Sequence, residues 1–409
     1  MPVMVRGLFS CVLVCLLVHS VQADEIVLGV SAAFKGPSRG LGTELYRGSL
    51  AYFEHVNTSG GVVGKQIVLK AYDDSYNPGP AVENTVRLIE QDRVHLLYGY
   101  VGTPTVTRVL PLLKIHSDTS MCMFFPFTGA EPQRQAPYDQ YVFNLRASYG
   151  QETAGLVDNF VKIGRKRIGL FYQCDAYGRS GWHGVRVALA KHDLRMVGEA
   201  TYRRGSPFSQ DMHAQVEILR KAGADAVIAV GAYAACAAFV RDARDAGWDV
   251  PIANISFVGS ESLLTLLTEH GSKKGRDYTV NLLNSQVVPS YHDTTLPAIR
   301  QYREMMAKYK PLPPAQYRDD DYRSPEHSFV SLEGFLNAKL LVEILKKGNA
   351  STNRRELRKA AESMEGIDLG IGEPITFGPN RHQALNRVYF TVVNEGRFVP
   401  LSDWERWSK

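Results

Sequence analysis

The sequence predicts an α/β protein of two Rossmann-like lobes, each built on a parallel sheet, and three observations lead to this. Short apolar runs of strand type alternate with helical patterns through most of the chain, which favours parallel sheets flanked by helices. The alternation occurs twice, first over residues 24–144 and then over about 146–281. The chain has 409 residues, which is more than one hydrophobic core usually serves, so we expect two domains.

The first unit shows how the elements are predicted. Apolar residues recur at helical spacing from 41 to 56, and the pair Gly60-Gly61 ends this helix because glycine tolerates positive φ. The apolar run 67–71 predicts a strand, and Pro80 suits the first turn of the helix after it. By the same reasoning we predict strands at 26–30, 95–99, 121–126, 168–173, 197–202, 226–231 and 252–258, and helices at 155–163, 180–192, 210–222 and 234–246.

The N-terminus has the pattern of a cleaved secretory signal. Arg6 supplies a positive charge, residues 8–18 form a short apolar stretch, and Ala23 is a small residue of the kind found at cleavage sites. A membrane anchor is the alternative, but the apolar stretch is shorter than a bilayer span requires. We therefore expect residues 1–23 to be a signal peptide and the mature chain to act outside the cytoplasm.

Charge and cysteine usage exclude several classes of protein. Removing residues 1–23 lowers the formal net charge from +5 to about +4, and basic residues are scattered, so we expect no nucleic-acid partner. The mature chain keeps Cys122, Cys174 and Cys236, an odd and widely spaced set that predicts neither a disulfide framework nor a zinc site. We expect Cys122 and Cys236 to be buried, and Cys174 to lie at the end of a strand.

Signatures of the common enzyme classes are missing from the sequence. No dinucleotide fingerprint, nucleophile elbow or zinc-protease motif occurs, and the lysine of Gly60–Lys65 is followed by Gln66, where a phosphate loop needs serine or threonine. We therefore expect a protein that is not an enzyme, with no catalytic residue, no cofactor and no metal site. Trp404 and Trp407 near the C-terminus predict either packing anchors or a partner surface.

Three segments near the start follow one another in a fixed order: NTSGGVVGK (57–65), AYDD (71–74) and NPGPA (77–81). Their order resembles the opening of the leucine/isoleucine/valine-type periplasmic binding proteins, the type I solute-binding proteins. The resemblance implies three hinge crossings between the lobes, with residues 24–144 and 288–366 in lobe 1 and residues 145–287 and 367–409 in lobe 2. The last strands, around 374–377 and 387–393, would complete lobe 2.

The resemblance also implies a role. Members of this family capture a small amino acid or organic carboxylate between the lobes, in the periplasm, and deliver it to the permease of an ATP-binding-cassette importer. The same fold also serves in sensing, so a membrane sensor is the alternative partner. We expect transport to be the role of this chain.

Loops at the carboxyl ends of the lobe 1 strands carry candidate ligand-binding groups. In the loop from Tyr100, the hydroxyl of Thr103 is either a helix N-cap or a carboxylate ligand, and the residues alone leave both open. The resemblance favours the carboxylate for Thr103. It also implies that Phe127, Thr128 and Gly129 form a second carboxylate-binding loop.

Lobe 2 contributes candidate groups from three loops. Asp175 and Tyr177 belong to a D-x-x-Y-G-like segment, QCDAYG (173–178), and Tyr233 to a G-x-Y segment. The resemblance implies that these tyrosines close over the ligand. Amino-acid binders of the family also carry an acid that pairs with the ligand ammonium, but here Phe257 stands near the expected place. Unless Asp175 or Glu261 substitutes, we expect a carboxylate that lacks an amine.

Overall fold

The computed structural model describes residues 24–319 and 321–409, so the predicted signal segment 1–23 lies outside the described residues. The strands are Glu25–Ala32 (β1), Gln66–Asp73 (β2), Leu96–Tyr98 (β3), Met123–Phe124 (β4), Val142–Phe143 (β5), Ile168–Gln173 (β6), Gly198–Tyr202 (β7), Ala226–Val230 (β8), Ile252–Asn254 (β9), Leu282–Gln286 (β10), Ile367–Asp368 (β11), Pro374–Ile375 (β12), Tyr389–Asn394 (β13) and Arg397–Pro400 (β14). The helices are Arg39–Thr58 (α1), Pro78–Val86 (α2), Thr103–Ile115 (α3), Tyr149–Lys162 (α4), Ala176–Ala190 (α5), His213–Lys221 (α6), Tyr233–Asp245 (α7), Ser260–Lys274 (α8), Pro297–Tyr309 (α9), Phe329–Leu345 (α10) and Arg354–Glu362 (α11).

Lobe 1 is built on a parallel sheet in the order β2-β1-β3-β4-β5. Helices α1 and α10 pack against each other, and α9 packs on α1. Gly48 lets α1 approach α10 closely, since a Cβ there would lie 1.7 Å from the carbonyl oxygen of Ser331. The predicted parallel, helix-flanked sheet is confirmed.

Lobe 2 is built on a sheet in the order β14-β13-β10-β9-β8-β6-β7. The strands from β10 to β7 are parallel, whereas β13 and β14 join one edge in antiparallel pairs. The strand β8 is buried at every residue, as its continuous apolar run Ala226–Val230 predicts for a strand covered on both faces. The α/β class is therefore confirmed in both lobes.

The segment 367–377 differs from the prediction, because it does not extend the lobe 2 sheet. Strand β12 pairs with β11 in a separate two-stranded sheet. The Gly370 carbonyl accepts a 3.0 Å hydrogen bond from the Ala298 N–H of α9, and the Phe377 ring lies 5.4 Å from the Phe143 ring of β5. Both partners are in lobe 1, so we propose that the third crossing lies later, at 383–386, where Leu385 N–H donates to the Leu145 carbonyl at 2.8 Å.

Two predicted strands end early. The run 252–258 is a strand only to Asn254, and Ser256–Val258 form a short 3₁₀ turn. The run 121–126 is a strand only at Met123–Phe124, because Phe125 adopts φ 56° and leaves the sheet direction. Both departures occur at the carboxyl ends of strands and direct the chain toward the space between the lobes.

The two C-terminal tryptophans pack against lobe 2, and two of the three cysteines are buried. Trp404 packs edge-on against Phe160 and Trp407, and the Trp407 indole donates to Asn281 at 2.9 Å, so both tryptophans anchor the C-terminus to lobe 2. Cys122 and Cys236 are buried as predicted, and Cys174 is exposed. Among the described residues, none of the helices combines the length and the apolar character that crossing a membrane demands.

Candidate ligand-binding cleft

The loops of the two lobes meet in a cluster of aromatic rings with Phe257 at its centre. Its ring lies 5.3 Å from Phe127 and 5.8 Å from Tyr76, both in lobe 1, and 4.6 Å from Tyr177 in lobe 2. These side chains are buried. Three of the predicted site residues, Phe127, Tyr177 and Phe257, therefore lie together at the interface, where aromatic pairs stabilise the contact between the lobes.

A pair of threonines lies at the lobe 1 side of this cluster. The hydroxyls of Thr103 and Thr128 are 2.7 Å apart, and both side chains are buried. Thr103 is the first residue of α3, and the N-cap position is Gly102, so the Thr103 hydroxyl does not cap the helix. The N–H groups of a first helical turn have no partners within the helix, and together with these hydroxyls they suit an anionic group.

Two glycines bring aromatic rings close to this backbone. A Cβ on Gly102 would lie 2.1 Å from Cε2 of Tyr76, and Gly102 has φ +103°. A Cβ on Gly129 would lie 2.5 Å from Cδ1 of Tyr149. Only glycine leaves room for the ring at either position, so both glycines set the shape of the cleft. Gly129 was predicted as a site residue, and it contributes at least this close approach.

Arg146 contacts this cluster and is a residue that sequence reasoning missed. It lies between β5 and α4, in the first crossing, with its side chain 1% exposed. The guanidinium carbon is 4.6 Å from the centre of the Phe127 ring, and Nη2 donates to the Ser256 hydroxyl. The only hint in the sequence was a charged residue in the first crossing. That hint is weak, because charged residues in such connecting segments are ordinarily exposed to solvent.

Two acids accompany this guanidinium, one from each lobe. Oε1 of Glu152 on α4 is 3.6 Å from Nη2 of Arg146, and Oε1 of Glu333 on α10 is 3.7 Å from Nη1. Burial lowers the pKa of Arg146, but the attraction of Glu333 and Glu152 outweighs it and the net shift is upward. Burial raises the pKa of Glu333 to about 7, although Arg146 opposes the shift.

Both carboxylate oxygens of Glu152 accept hydrogen bonds from neighbouring residues. It accepts hydrogen bonds from the Ser256 N–H at 2.8 Å, from the Ser256 hydroxyl at 3.0 Å and from the Ser285 hydroxyl at 2.6 Å. All of these residues are buried. The network fixes the loop that carries Phe257, since Ser256 is its neighbour in the same 3₁₀ turn.

Two other predicted residues do not join the ring cluster with their side chains. Tyr100 points into the interior of lobe 1, where its hydroxyl is 2.9 Å from the Thr85 hydroxyl, so we correct its assignment to a core residue. Asp175 is the N-cap of α5, accepts from the Tyr177 N–H at 3.0 Å, and pairs with Arg204 at 3.1 Å. Its carboxylate is thus occupied by its own lobe.

Tyr233 and Glu261 bridge the lobes beside the cluster. The Tyr233 hydroxyl accepts a 3.1 Å hydrogen bond from the N–H of Gly40 on α1. The Glu261 carboxylate accepts a 3.3 Å hydrogen bond from the N–H of Phe329, the first residue of α10. Tyr233 also lines a cavity of about 560 Å³ that both lobes border. Each of the two residues therefore joins lobe 2 to lobe 1.

Comparisons with known proteins agree with the two-lobed α/β fold. A crystal structure described as a possible leucine/isoleucine/valine-binding protein from Rhodopirellula baltica SH 1 shares 32% sequence identity and superposes with a TM-score of 0.82, over 95% of this chain and 98% of that one. A substrate-binding periplasmic protein from Ralstonia solanacearum shares 26% identity with a TM-score of 0.79, over 90% of this chain and 98% of that one.

Sequence comparison gives the same result. A protein of Brucella melitensis biotype 1 named Leu/Ile/Val-binding protein homolog 3 is 27% identical over 224 residues, which are 54% of this chain and 59% of the relative. The match thus spans about three-fifths of that relative's length. The family model described as periplasmic binding protein matches residues 25–397, which is nearly all of the described chain. The chain therefore belongs to the periplasmic binding protein family.

Proposed function

We propose that this chain is an extracytoplasmic solute-binding protein that captures a small carboxylate or amino-acid-like ligand between its lobes. The observation that carries the proposal is the convergence of loops from both lobes on Phe257, next to the Thr103–Thr128 hydroxyl pair. Apolar rings with a few polar groups at one end suit a small organic molecule with an acidic head. Relatives named Leu/Ile/Val-binding proteins support the same ligand size.

The proposed mechanism is a hinged opening and closing of the lobes. The proposed crossings are short segments near 144–148, 287–291 and 383–386. In a hinge motion, the backbone angles of a few residues in such segments change while each lobe moves as a unit. Opening separates Phe257 from Phe127 and Tyr76, and a ligand enters between the rings. Closure re-forms contacts such as the Tyr233–Gly40 hydrogen bond, and binding shifts the equilibrium toward the closed form by its extra affinity for that form.

The proposed partner is the permease of an ATP-binding-cassette importer, which would recognise the closed form. The predicted signal peptide would place the mature chain in the periplasm, where such a partner is accessible. We assign no catalytic residue, in keeping with relatives that are named as binding proteins.

The first experiment is a thermal-shift screen on residues 24–409, unfolded and refolded to remove any ligand carried from the host. The panel contains leucine, valine and phenylalanine together with the amine-free acids of the same carbon skeletons. We expect at least one compound to raise the melting temperature, because ligand binding stabilises the folded state by mass action. A panel that leaves the melting temperature unchanged throughout contradicts the proposal.

A matched pair of variants tests the site. Thr103→Val removes the hydroxyl that contacts Thr128, whereas Thr107→Val removes a hydroxyl that bonds the Thr103 carbonyl within the same helix at 2.7 Å. We expect Thr103→Val to weaken binding of the best compound by about tenfold or more, since a buried hydrogen bond to a charged group is lost. Thr107→Val should change it little. Equal effects of the two variants would remove Thr103 from the site.

A second measurement tests closure. Tyr233→Phe leaves the Gly40 N–H without its acceptor from lobe 2, which costs the closed form about 1 kcal/mol. We expect small-angle scattering to show a larger radius of gyration for this variant than for the parent chain, and we expect ligand to restore part of the difference. A radius that neither the variant nor the ligand alters would argue against lobe motion.

A further inference from the structure

Three buried polar atoms at the base of the cleft lack a hydrogen-bond partner. Within the described part of the chain, Nε and Nη1 of Arg146 and the hydroxyl of Tyr149 make no hydrogen bond. Both side chains border the ring cluster, since the Arg146 guanidinium lies 4.6 Å from the Phe127 ring and the Tyr149 ring lies 5.3 Å from the Tyr177 ring. The guanidinium is also 5.9 Å from the Tyr149 ring, so the three atoms belong to one region.

Such groups are unusual in a folded protein. Most buried polar atoms are hydrogen-bonded, and unsatisfied ones at a cleft indicate a partner from outside the chain. The guanidinium nitrogens can only donate, and the tyrosine hydroxyl can donate as well. A cluster of donors around a fixed positive charge is suited to an anion, and a carboxylate is the anion whose geometry matches a guanidinium.

We propose that Arg146 and Tyr149 hold the carboxylate of the ligand, and that the fixed charge of Arg146 selects acids without an α-ammonium group. The proposal rests on the proposed function and names the ligand class for the same cleft. The apolar tail of the acid would then lie among Phe127, Tyr177 and Phe257. The ligand class is a small amine-free carboxylic acid with an aliphatic or aromatic tail.

Among the residues that the structure describes, the acids around the cleft offer no free negative charge to an ammonium group. Glu261, beside the cluster, keeps Oε1 without a hydrogen-bond partner from these residues, but burial raises its pKa to about 8, so it is neutral at pH 7. Glu152 is occupied by Ser256 and Ser285, and both Glu152 and Glu333 face the Arg146 guanidinium. Asp175 is paired with Arg204. An α-ammonium bound next to its own carboxylate would lie close to the guanidinium, and like charges in a water-poor cleft disfavour each other.

Matched ligand pairs provide the test. The refolded chain 24–409 is titrated calorimetrically with leucine and 4-methyl-2-oxopentanoate, and with phenylalanine and phenylpyruvate. In each pair the carbon skeleton is constant and the amine is replaced by a carbonyl oxygen. We expect the dissociation constant of each oxo acid to be lower than that of its amino acid by a factor of about 100 or more. An amino acid that binds as tightly as its oxo acid overturns the selection by Arg146.

Three variants separate the anchor from a general effect of charge. Arg146→Met should weaken oxo-acid binding by about 100-fold, and Tyr149→Phe, which removes only a hydroxyl, by about tenfold. Arg179→Met on the exposed face of α5 removes the same charge outside the cleft and should leave affinity within about threefold. If Arg146→Met does not fold, the affinity of Tyr149→Phe for the oxo acids and the ligand pairs measured on the parent chain still test the inference.

The outcomes also separate this inference from the proposed function. A chain that binds amino acids and none of the oxo acids keeps the proposed function and overturns the inference. A chain that binds neither class overturns both. Oxo-acid binding that both Arg146→Met and Tyr149→Phe leave unchanged would place the carboxylate elsewhere in the cleft and overturn the inference.

Discussion

Glu261 should make the stability of the folded chain depend on pH in a way that one substitution removes. Its side chain is buried at the start of α8 and accepts a hydrogen bond from the Phe329 N–H at 3.3 Å, where α10 begins. Burial raises the pKa of Glu261 to about 8, which outweighs the hydrogen bonds that favour the ionised form. The folded chain therefore keeps a proton on Glu261 at pH 7.

The size and sign of the effect follow from the two pKa values. In the unfolded chain the pKa of Glu261 is near the ordinary value of a glutamate, 4.5, so between that pH and about 8 the folded state binds one proton more than the unfolded state. Stability relative to a neutral side chain is then lost as pH rises through this window, by about 1.4 kcal/mol per pH unit. From pH 5 to pH 7 the parent chain should lose about 2–3 kcal/mol relative to Glu261→Gln.

Urea unfolding of the two proteins at pH 5, 6 and 7 measures this difference directly. Other titrating groups, among them buried histidines, affect both proteins equally and cancel in the comparison. Glu269→Gln, an exposed position on the same helix, is the matched control and should show no pH-dependent difference from the parent. A Glu261→Gln difference that stays constant within about 0.5 kcal/mol from pH 5 to 7 would show that Glu261 is ionised in the folded chain.

Two further predictions concern the cleft. Gly102→Ala should lower the free energy of unfolding in urea by about 2 kcal/mol or more, because its Cβ would lie 2.1 Å from the Tyr76 ring at a φ of +103°. The control Gly205→Ala also has a positive φ, +80°, but no atom within 4 Å of the new Cβ, and should lower it by about 1 kcal/mol. Equal losses would refute the steric reasoning. Oxo acids should bind more tightly at pH 6 than at pH 8. The pKa of Glu333 is about 7, and the carboxylate of a ligand bound at Arg146 would be repelled by the ionised form of Glu333 that dominates at pH 8. Calorimetry on Glu333→Gln should show a flatter pH profile, and an unchanged profile would exclude Glu333 as the titrating group.

Much of the fold was predictable because strand and helix periods are local properties of the sequence. The exceptions are informative. The apolar run 252–258 predicts one long strand, yet the strand ends at Asn254, and Phe257 and Val258 are buried against other parts of the chain. An apolar run reports burial and does not say whether a sheet or a contact between lobes provides it.

The grouping of the candidate side chains was predictable in part. Thr103, Thr128, Tyr177 and Phe257 come together because the carboxyl ends of parallel strands meet at one edge of each sheet. Tyr100 was misassigned because its loop passes between the lobe interior and the cleft, and sequence alone does not give the direction of a side chain in a loop.

Arg146 could not be predicted for a different reason, and the same reason bears on how binding and closure are connected. Its burial depends on Glu152 in lobe 2 and Glu333 in lobe 1, two residues far apart in the chain that only the folded structure brings to the same guanidinium. Arg146 itself lies in a crossing. The proposed rotation of the lobes would change the separation of α4 from α10, and the guanidinium would then lose at least one of its contacts at 3.6 and 3.7 Å. In the proposed binding mode, a ligand carboxylate on Arg146 therefore acts on the lobe angle through the residue that holds it.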